Sequence, residues 1–423
     1  MSQSKIAVDL ILKKLAESTE KTKDRARKAS EVLLGDLETD LATTPYEVVY
    51  KEDRVKLKYY RPPEPKGGTP LLVVYALINR ETMLDLQPGR SVVQTFLDKG
   101  LDVYMVDWGY PTRKDQYLTI DDHVNGYMDN VVDFIRKTHG LERVNLMGIC
   151  MGGAFSVIYA SLHPEKIQNL VTTVTPSNFD TDKGLLHIWM KQTSADRMAE
   201  CYRNMPGDVM NLGFLLLNPA RLIIDKYVGF MENMDNRNFV ENFVRMEKWI
   251  FDSPDVPGAT FKQFIEDCYR KNLLIQSKLE VGGRRVDLKK LAMPLLNIYG
   301  RYDHLVPPEA CDKLTAAVGS KDTEDLCLDT GHIGIYVSSK FQREFAPKIV
   351  QWLGERERAV SAPKAAAGSR TPSAKKGAGK GNGGPKTKAA KAPSEKAAKS
   401  KGKGKGKKEK KTDAVASDQQ QAG

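Results

Sequence analysis

The chain has 423 residues, 41% of them hydrophobic, enough to bury a sizeable core, and it carries a formal net charge of +11. That charge is local: residues 362–423 hold 17 Lys and Arg against 4 Asp and Glu, a net of +13, which leaves the rest of the chain at −2 and without the basic signature of a nucleic-acid-binding body. No stretch approaches the roughly 20 apolar residues that cross a bilayer, no signal-peptide pattern opens the chain, and five scattered cysteines without a CxxC pair fit neither a disulfide framework nor a structural zinc site, so a cytoplasmic protein is expected.

In chain order, residues 4–41 place Val8, Ile11, Leu12 and Leu15 at helical spacing among many charges, which predicts one or two amphipathic helices in an N-terminal segment, 1–44. Alternation over 55–60 predicts a strand. The run Leu-Leu-Val-Val-Tyr within 70–76 predicts a strand buried on both faces, and a third apolar run ends at Asp107. Helical patterns cover 90–99 and 119–139, the second with Ile120, Val124, Tyr127, Val131, Val132 and Ile135 on one face. A strand over 144–147, a helix over 150–162 and a strand over 170–174 continue the rhythm. It predicts an α/β fold, a mostly parallel sheet flanked by helices. From about 180 to 290, helical segments rich in Met, Leu, Phe and Tyr interrupt the alternation as a cap insertion. Strands over 294–299 and 325–328, a helix over 307–318 and a closing helix over 338–354 complete a domain expected over 45–357. Residues 358–423 are mostly Ala, Lys, Gly, Pro and Ser without periodicity, the composition of a disordered tail.

The chemistry concentrates in Val144-Asn145-Leu146-Met147-Gly148-Ile149-Cys150-Met151-Gly152-Gly153-Ala154, where a strand turns abruptly into a helix around a cysteine. This is the pattern of a nucleophile elbow with cysteine in place of serine. Side chains two residues before and after a strained nucleophile would collide, and Gly148 and Gly152 remove them. The helix N-terminus lowers a thiol's pKa and offers free N–H groups, so Cys150 is expected to be partly thiolate. The backbone N–H of Met151 is the first expected oxyanion donor and that of Ile78, in the loop after the 70–76 strand, the second.

Asp303 follows the 294–299 strand, where such a sheet places its acid, and His332 sits in a Gly-flanked loop after the next strand, where it places its base. The order nucleophile, acid, histidine is that of the α/β-hydrolase fold. His304 adjoins the acid and competes with His332 as base or as a supporting group. Asp107, Asp121, Asp122 and Asp329 are alternative acids off the expected strand end, while His123, His139, His163 and His187 read as solvated or structural. A thiolate exchanges acyl groups with a thioester such as an acyl-CoA at little cost, which favours group transfer over hydrolysis. With no Walker A loop, dinucleotide fingerprint or metal-ligand cluster, neither cofactor nor metal is expected, and a CoA thioester would be substrate.

The elbow, together with Val74-Tyr75-Ala76-Leu77-Ile78-Asn79-Arg80, Val106-Asp107-Trp108-Gly109-Tyr110-Pro111, Phe243-Val244-Arg245-Met246-Glu247-Lys248-Trp249-Ile250-Phe251-Asp252-Ser253-Pro254 and Gly331-His332-Ile333-Gly334-Ile335-Tyr336, resembles the polyhydroxyalkanoate synthases over about residues 45–352. The short N-terminal part and the Met-Glu-Lys-Trp block resemble the catalytic subunit of class III, and the similar class IV enzymes share the elbow. The resemblance implies an α/β-hydrolase fold with a helical cap and polymerisation of short (R)-3-hydroxyacyl-CoA, such as 3-hydroxybutyryl-CoA, with release of CoA. It implies Cys150 as carrier of the polyester thioester, His332 as base, and Asp303 as orienting acid or as activator of the 3-hydroxyl. A second synthase subunit, a polyester granule surface and dimerisation complete the implied partners.

Two rival readings exist. A hydrolase or thioesterase of the dienelactone hydrolase kind also uses a cysteine elbow, but such enzymes are shorter and lack so large a cap. A non-catalytic granule tether would keep the fold as a scaffold, against which an intact Cys150, Asp303 and His332 set argues. The Lys-rich tail, a departure from the usual catalytic subunit, suits contact with DNA or another polyanion through counterion release, or merely keeps the chain soluble.

Overall fold

Stretches such as Leu71–Val74 and Val103–Asp107 offer water almost no polar side chain, and each forms a strand buried along its whole length. The computed structural model describes residues 23–361. Its strands in chain order are β1 (Glu47–Glu52), β2 (Val55–Tyr60), β3 (Leu71–Val74), β4 (Val103–Asp107), β5 (Val144–Ile149), β6 (Ile167–Thr173), β7 (Asn204–Met205), β8 (Val256–Pro257), β9 (Glu280–Val281), β10 (Arg284–Arg285), β11 (Leu295–Gly300) and β12 (Thr323–Leu328). Eight of them make one sheet in the order β1-β2-β4-β3-β5-β6-β11-β12. From β4 to β12 every neighbouring pair is parallel; only β2 against β4 and β1 against β2 are antiparallel. The sheet is thus the mostly parallel one that the alternation predicts, with the hairpin strand β1 added at its edge.

Polar residues inside these buried strands satisfy one another. Asn169 donates to Asn145 across β6 and β5 at 2.8 Å, and Thr172 donates to Asn297 across β6 and β11 at 2.9 Å. The helix Val92–Asp98, capped by the Ser91 hydroxyl on the Gln94 N–H, packs against the closing helix Ser339–Ser361. The helix Met151–Leu162 is buried throughout and packs against the π-helical Asp122–Met128, which leads into Asp129–His139. The helix expected over 307–318 is two short ones, Pro308–Cys311 and Leu314–Ala317, and the closing helix runs past 357 to Ser361. The tail from 362 and the Val8 to Leu15 pattern lie outside the described residues. Among those residues, no helix is long and apolar enough to cross a membrane.

Between β6 and β11 the chain leaves the sheet as the helices Leu185–Gln192, Ala195–Tyr202, Gly207–Leu215, Lys226–Asn233, Arg237–Phe251 and Gly258–Gln263, cross-tied by the β7–β8 ribbon. Where this insertion meets the sheet lies a buried charge cluster. Lys58 on β2 is 2.6 Å from Glu81 and 3.3 Å from Asp107 at the end of β4, while Arg80 is 3.0 Å from each carboxylate. Burial pushes the Glu81 carboxyl up, but Lys58 and Arg80 outweigh it and hold the group below its ordinary value.

Glu81→Ala should therefore leave two cations poorly paired inside the protein and cost about 3–5 kcal/mol in urea unfolding. Because the folded pKa is depressed, this stabilisation is present above about pH 4.5 and is lost as pH falls through the lower folded value. A loss below about 1 kcal/mol would contradict the role given to the cluster.

Candidate active site

β5 ends at Ile149 and a helix starts at Met151, so one residue makes the whole reversal. Cys150 makes it with φ 53° and ψ −122°, a backbone state that costs an L-residue about 1–3 kcal/mol. Neighbouring bonds hold it there: the Cys150 N–H donates to Thr173 O at 3.0 Å, and its carbonyl accepts from the N–H groups of Gly153 and Ala154 at 3.0 and 3.2 Å. A Cβ on Gly148 would fall 2.5 Å from the Gly153 Cα and the Ser156 hydroxyl, and one on Gly152 would fall 2.4 Å from the carbonyl oxygens of Val74 and Tyr75. Both clearances are those the elbow requires. Gly153 adds a third, since its Cβ would meet the Thr175 hydroxyl at 1.9 Å.

Asp303 emerges just after β11, and its carboxylate is fully engaged. Oδ1 accepts from the N–H groups of Leu305 and Val306, each at 2.9 Å, and Oδ2 lies 2.6 Å from Nδ1 of His332. The Cys150 sulfur also acts on the His332 ring. Burial alone would favour the neutral ring, but the Asp303 carboxylate and the Cys150 sulfur outweigh it and push the imidazole up to about 10. A ring protonated at neutral pH carries an N–H on both nitrogens, Nδ1 engaged by the carboxylate and Nε2 left as a donor for the sulfur side.

The competing residues go elsewhere. His304 is pushed down by burial, with the His332 and Arg221 charges acting in the same sense, and the bond to Asp303 belongs to His332. Asp107 joins the buried charge cluster, Asp121 accepts from Asn125, Asp122 accepts from Thr119, and Asp329 pairs with Arg301. His139 and His163 contact Tyr104 and Asn125. His123 and His187 are not solvated: both are buried, His123 against Thr119 O at 2.8 Å and His187 with neither ring nitrogen partnered among the described residues.

The Met151 N–H opens its helix without an intrahelical acceptor. Above it runs the loop 75–80 that carries Ile78, held from both sides. Trp108 Nε1 donates to Tyr75 O at 2.9 Å, and Trp249 Nε1, from the insertion helix Arg237–Phe251, donates to Arg80 O at 2.8 Å. Ser253 donates to the Asn79 side chain, and Tyr110, stacked under the Arg80 guanidinium, donates to Asp252. The block 243–254 therefore braces the loop, a role that nothing in its local pattern signals.

Residues 69–339 match the family model for the alpha/beta hydrolase fold, and residues 7–96 match that for the poly-beta-hydroxybutyrate polymerase (PhaC) N-terminus. The chain is 46% identical over 346 residues to the poly(3-hydroxyalkanoate) polymerase subunit PhaC of Allochromatium vinosum, covering 80% of this chain and 97% of that one. It is 46% identical over 353 residues to the protein of the same name from Thiocystis violacea, covering 82% and 99%, and 44% identical to that of Synechocystis sp., covering 74% and 85%.

The raised imidazole has a thermodynamic signature. Its contribution to stability is present in full below the ordinary value of about 6.5 and is lost as pH rises through about 10. The excess stability of the wild type over His332→Gln, measured by denaturant unfolding from pH 6 upward, should shrink steadily across about that interval. A difference independent of pH would contradict the charge state assigned to the ring.

Proposed function

The chain belongs to the poly(3-hydroxyalkanoate) polymerase family and is an acyltransferase of that kind; we propose that Cys150 carries the growing polyester as a thioester, with His332 as base and Asp303 as its orienting acid. The observation behind this reading is the Asp303–His332 bond, with the ring under the influence of Cys150 at a strained elbow. His332 already holds the proton in the resting pair, and the sulfur attacks the thioester carbonyl of a short (R)-3-hydroxyacyl-CoA. The N–H groups of Met151 and Ile78 stabilise the oxyanion. When the C–S bond to CoA breaks, His332 returns the proton to the leaving thiolate.

In elongation the 3-hydroxyl of an incoming hydroxyacyl-CoA loses its proton to the histidine and attacks the acyl-Cys150 carbonyl, forming an ester and freeing the thiolate. That thiolate then attacks the CoA thioester of the lengthened chain, so that the chain returns to sulfur and CoA leaves with the histidine's proton. The Asp303 carboxylate already receives two backbone N–H groups and the imidazole, which favours an orienting and charge-stabilising role over direct activation of the hydroxyl. At every stage the chain end is a thioester, on Cys150 or on CoA, and so stays activated.

The relatives are named as subunits, which supports a class III organisation with a second synthase subunit. The reading extends to a dimer working in the cytoplasm at the polyester granule surface, with the basic residues beyond 361 contacting polyanions.

The deciding assay follows CoA release and polymer formation from (R)-3-hydroxybutyryl-CoA, with and without a candidate partner subunit, in wild type and Cys150→Ala. CoA release with insoluble polyester, abolished by the substitution, is expected. Release yielding only free hydroxy acid would mark a thioesterase, and polymerisation surviving in Cys150→Ala would overturn the assignment of the nucleophile.

A further inference from the structure

The insertion helix Leu185–Gln192 turns His187 fully inward, with no exposed surface. Both ring nitrogens are buried, and neither has a hydrogen-bond partner among the described residues. Native proteins rarely keep a buried polar atom in that state unless a water or a ligand completes it.

The surroundings point to a ligand. The His187 ring lies 5.2 Å from the Tyr269 ring and 6.3 Å from that of Phe179, centroid to centroid. Phe264 packs on Phe179 and Tyr269 and, at 6.3 Å, on Phe155 of the helix that Cys150 begins. This aromatic wall therefore joins the insertion to the nucleophile helix. It also lies within electrostatic reach of the reacting groups: the charge of Cys150 acts on Tyr269, and that of Asp303 acts on His187. On the other side, a Cβ at Gly184 would lie 2.8 Å from the His187 Nδ1 and 3.2 Å from Pro307, in the loop that carries Asp303. Gly184 thus packs closely on that nitrogen, where a side chain would press on the ring.

Apart from the Tyr269 hydroxyl, the imidazole supplies the polar atoms of this wall. Burial pushes it down to about 4, so the ring is neutral, with one N–H to donate and one lone pair to accept. A neutral donor and acceptor side by side suit an alcohol better than a phosphate or a carboxylate.

We propose that His187 is a specificity-determining residue of the acyl site, where its ring hydrogen-bonds the 3-hydroxyl of the acyl group bound at Cys150 and so selects hydroxylated acyl chains over plain ones. The proposal rests on the reading of Cys150 as acyl carrier. A site built to pair with a substrate hydroxyl rejects the analogue that lacks it, because its own polar atoms are then stranded.

The test compares single-turnover CoA release from (R)-3-hydroxybutyryl-CoA and from butyryl-CoA, using the full chain as wild type, His187→Phe and His187→Gln. Wild type should prefer the hydroxylated thioester by at least about tenfold. His187→Phe, which keeps the aromatic packing, should lose about tenfold of that ratio through the hydroxylated substrate, and His187→Gln, which keeps a donor and an acceptor, should restore part of it. Equal slowing of both substrates in both variants would mean that the ring only packs or holds a water, and would overturn the proposal. So would an unchanged ratio in His187→Phe, or a wild type with no preference. If His187→Phe shows no cooperative thermal transition, His187→Gln decides alone: an intermediate ratio supports the proposal, and equal slowing overturns it. Folded wild type that releases no CoA from the hydroxylated thioester would instead sink the underlying polymerase reading, an outcome distinct from any change of ratio.

Discussion

A cysteine at φ 53° between a buried strand and a buried helix can persist only where nothing crowds the turn, and the rest of the molecule is arranged around that requirement. Three neighbouring positions, Gly148, Gly152 and Gly153, carry no Cβ, and each empty space is filled by a different element: the nucleophile helix itself, the end of β3, and the residues just past β6. The sheet order follows from this. β3 and β6 flank β5, so their carboxyl ends close on the elbow, and β11 and β12 come next to deliver Asp303 and His332 to the same end of the sheet. Sites of open parallel sheets form at the carboxyl ends of the strands for this reason.

Three histidines near that point show how partners rather than position decide charge. His332 has a carboxylate at 2.6 Å and feels the Cys150 sulfur, and it is pushed up despite burial. His304, next in sequence to the same carboxylate, is pushed down. His187 feels Asp303 only weakly against its burial and is also pushed down. The result is one cation poised at the sulfur and a neutral ring in the wall beside it, an arrangement suited to separate tasks of proton transfer and recognition. Further out, the Lys58, Arg80, Glu81 and Asp107 cluster ties the end of the 75–80 loop to the sheet, while Trp249 and Ser253 tie the loop to the insertion. The loop thus depends on both bodies of the chain.

The parallel strands were legible because burial on both faces leaves an unbroken apolar run, as in Leu71–Val74. Cys150, Asp303 and His332 were legible as a set because the elbow is a local pattern and the candidate acid and base each follow a strand end; the structure bonds Asp303 to His332, and Cys150 acts on that ring. β1 was not: Glu47–Glu52 is an edge strand with mixed side chains, paired only through its hairpin with β2. The bracing of Arg80 by Trp249 links residues 169 positions apart, and no periodicity encodes such a pair. His187 looked like any helical histidine, since its burial depends on Phe179 and Tyr269, which belong to other segments. The split of the helix expected over 307–318 has no evident physical cause in the residues involved.

The account stands or falls on a covalent acyl group at Cys150. Rapid-quench mass spectrometry after mixing the full chain with (R)-3-hydroxybutyryl-CoA reads it directly. The account predicts a ladder of hydroxybutyrate increments confined to the peptide that contains Cys150 and removed by hydroxylamine, as a thioester is. Increments on a different residue, or their absence while CoA is being released, would contradict it.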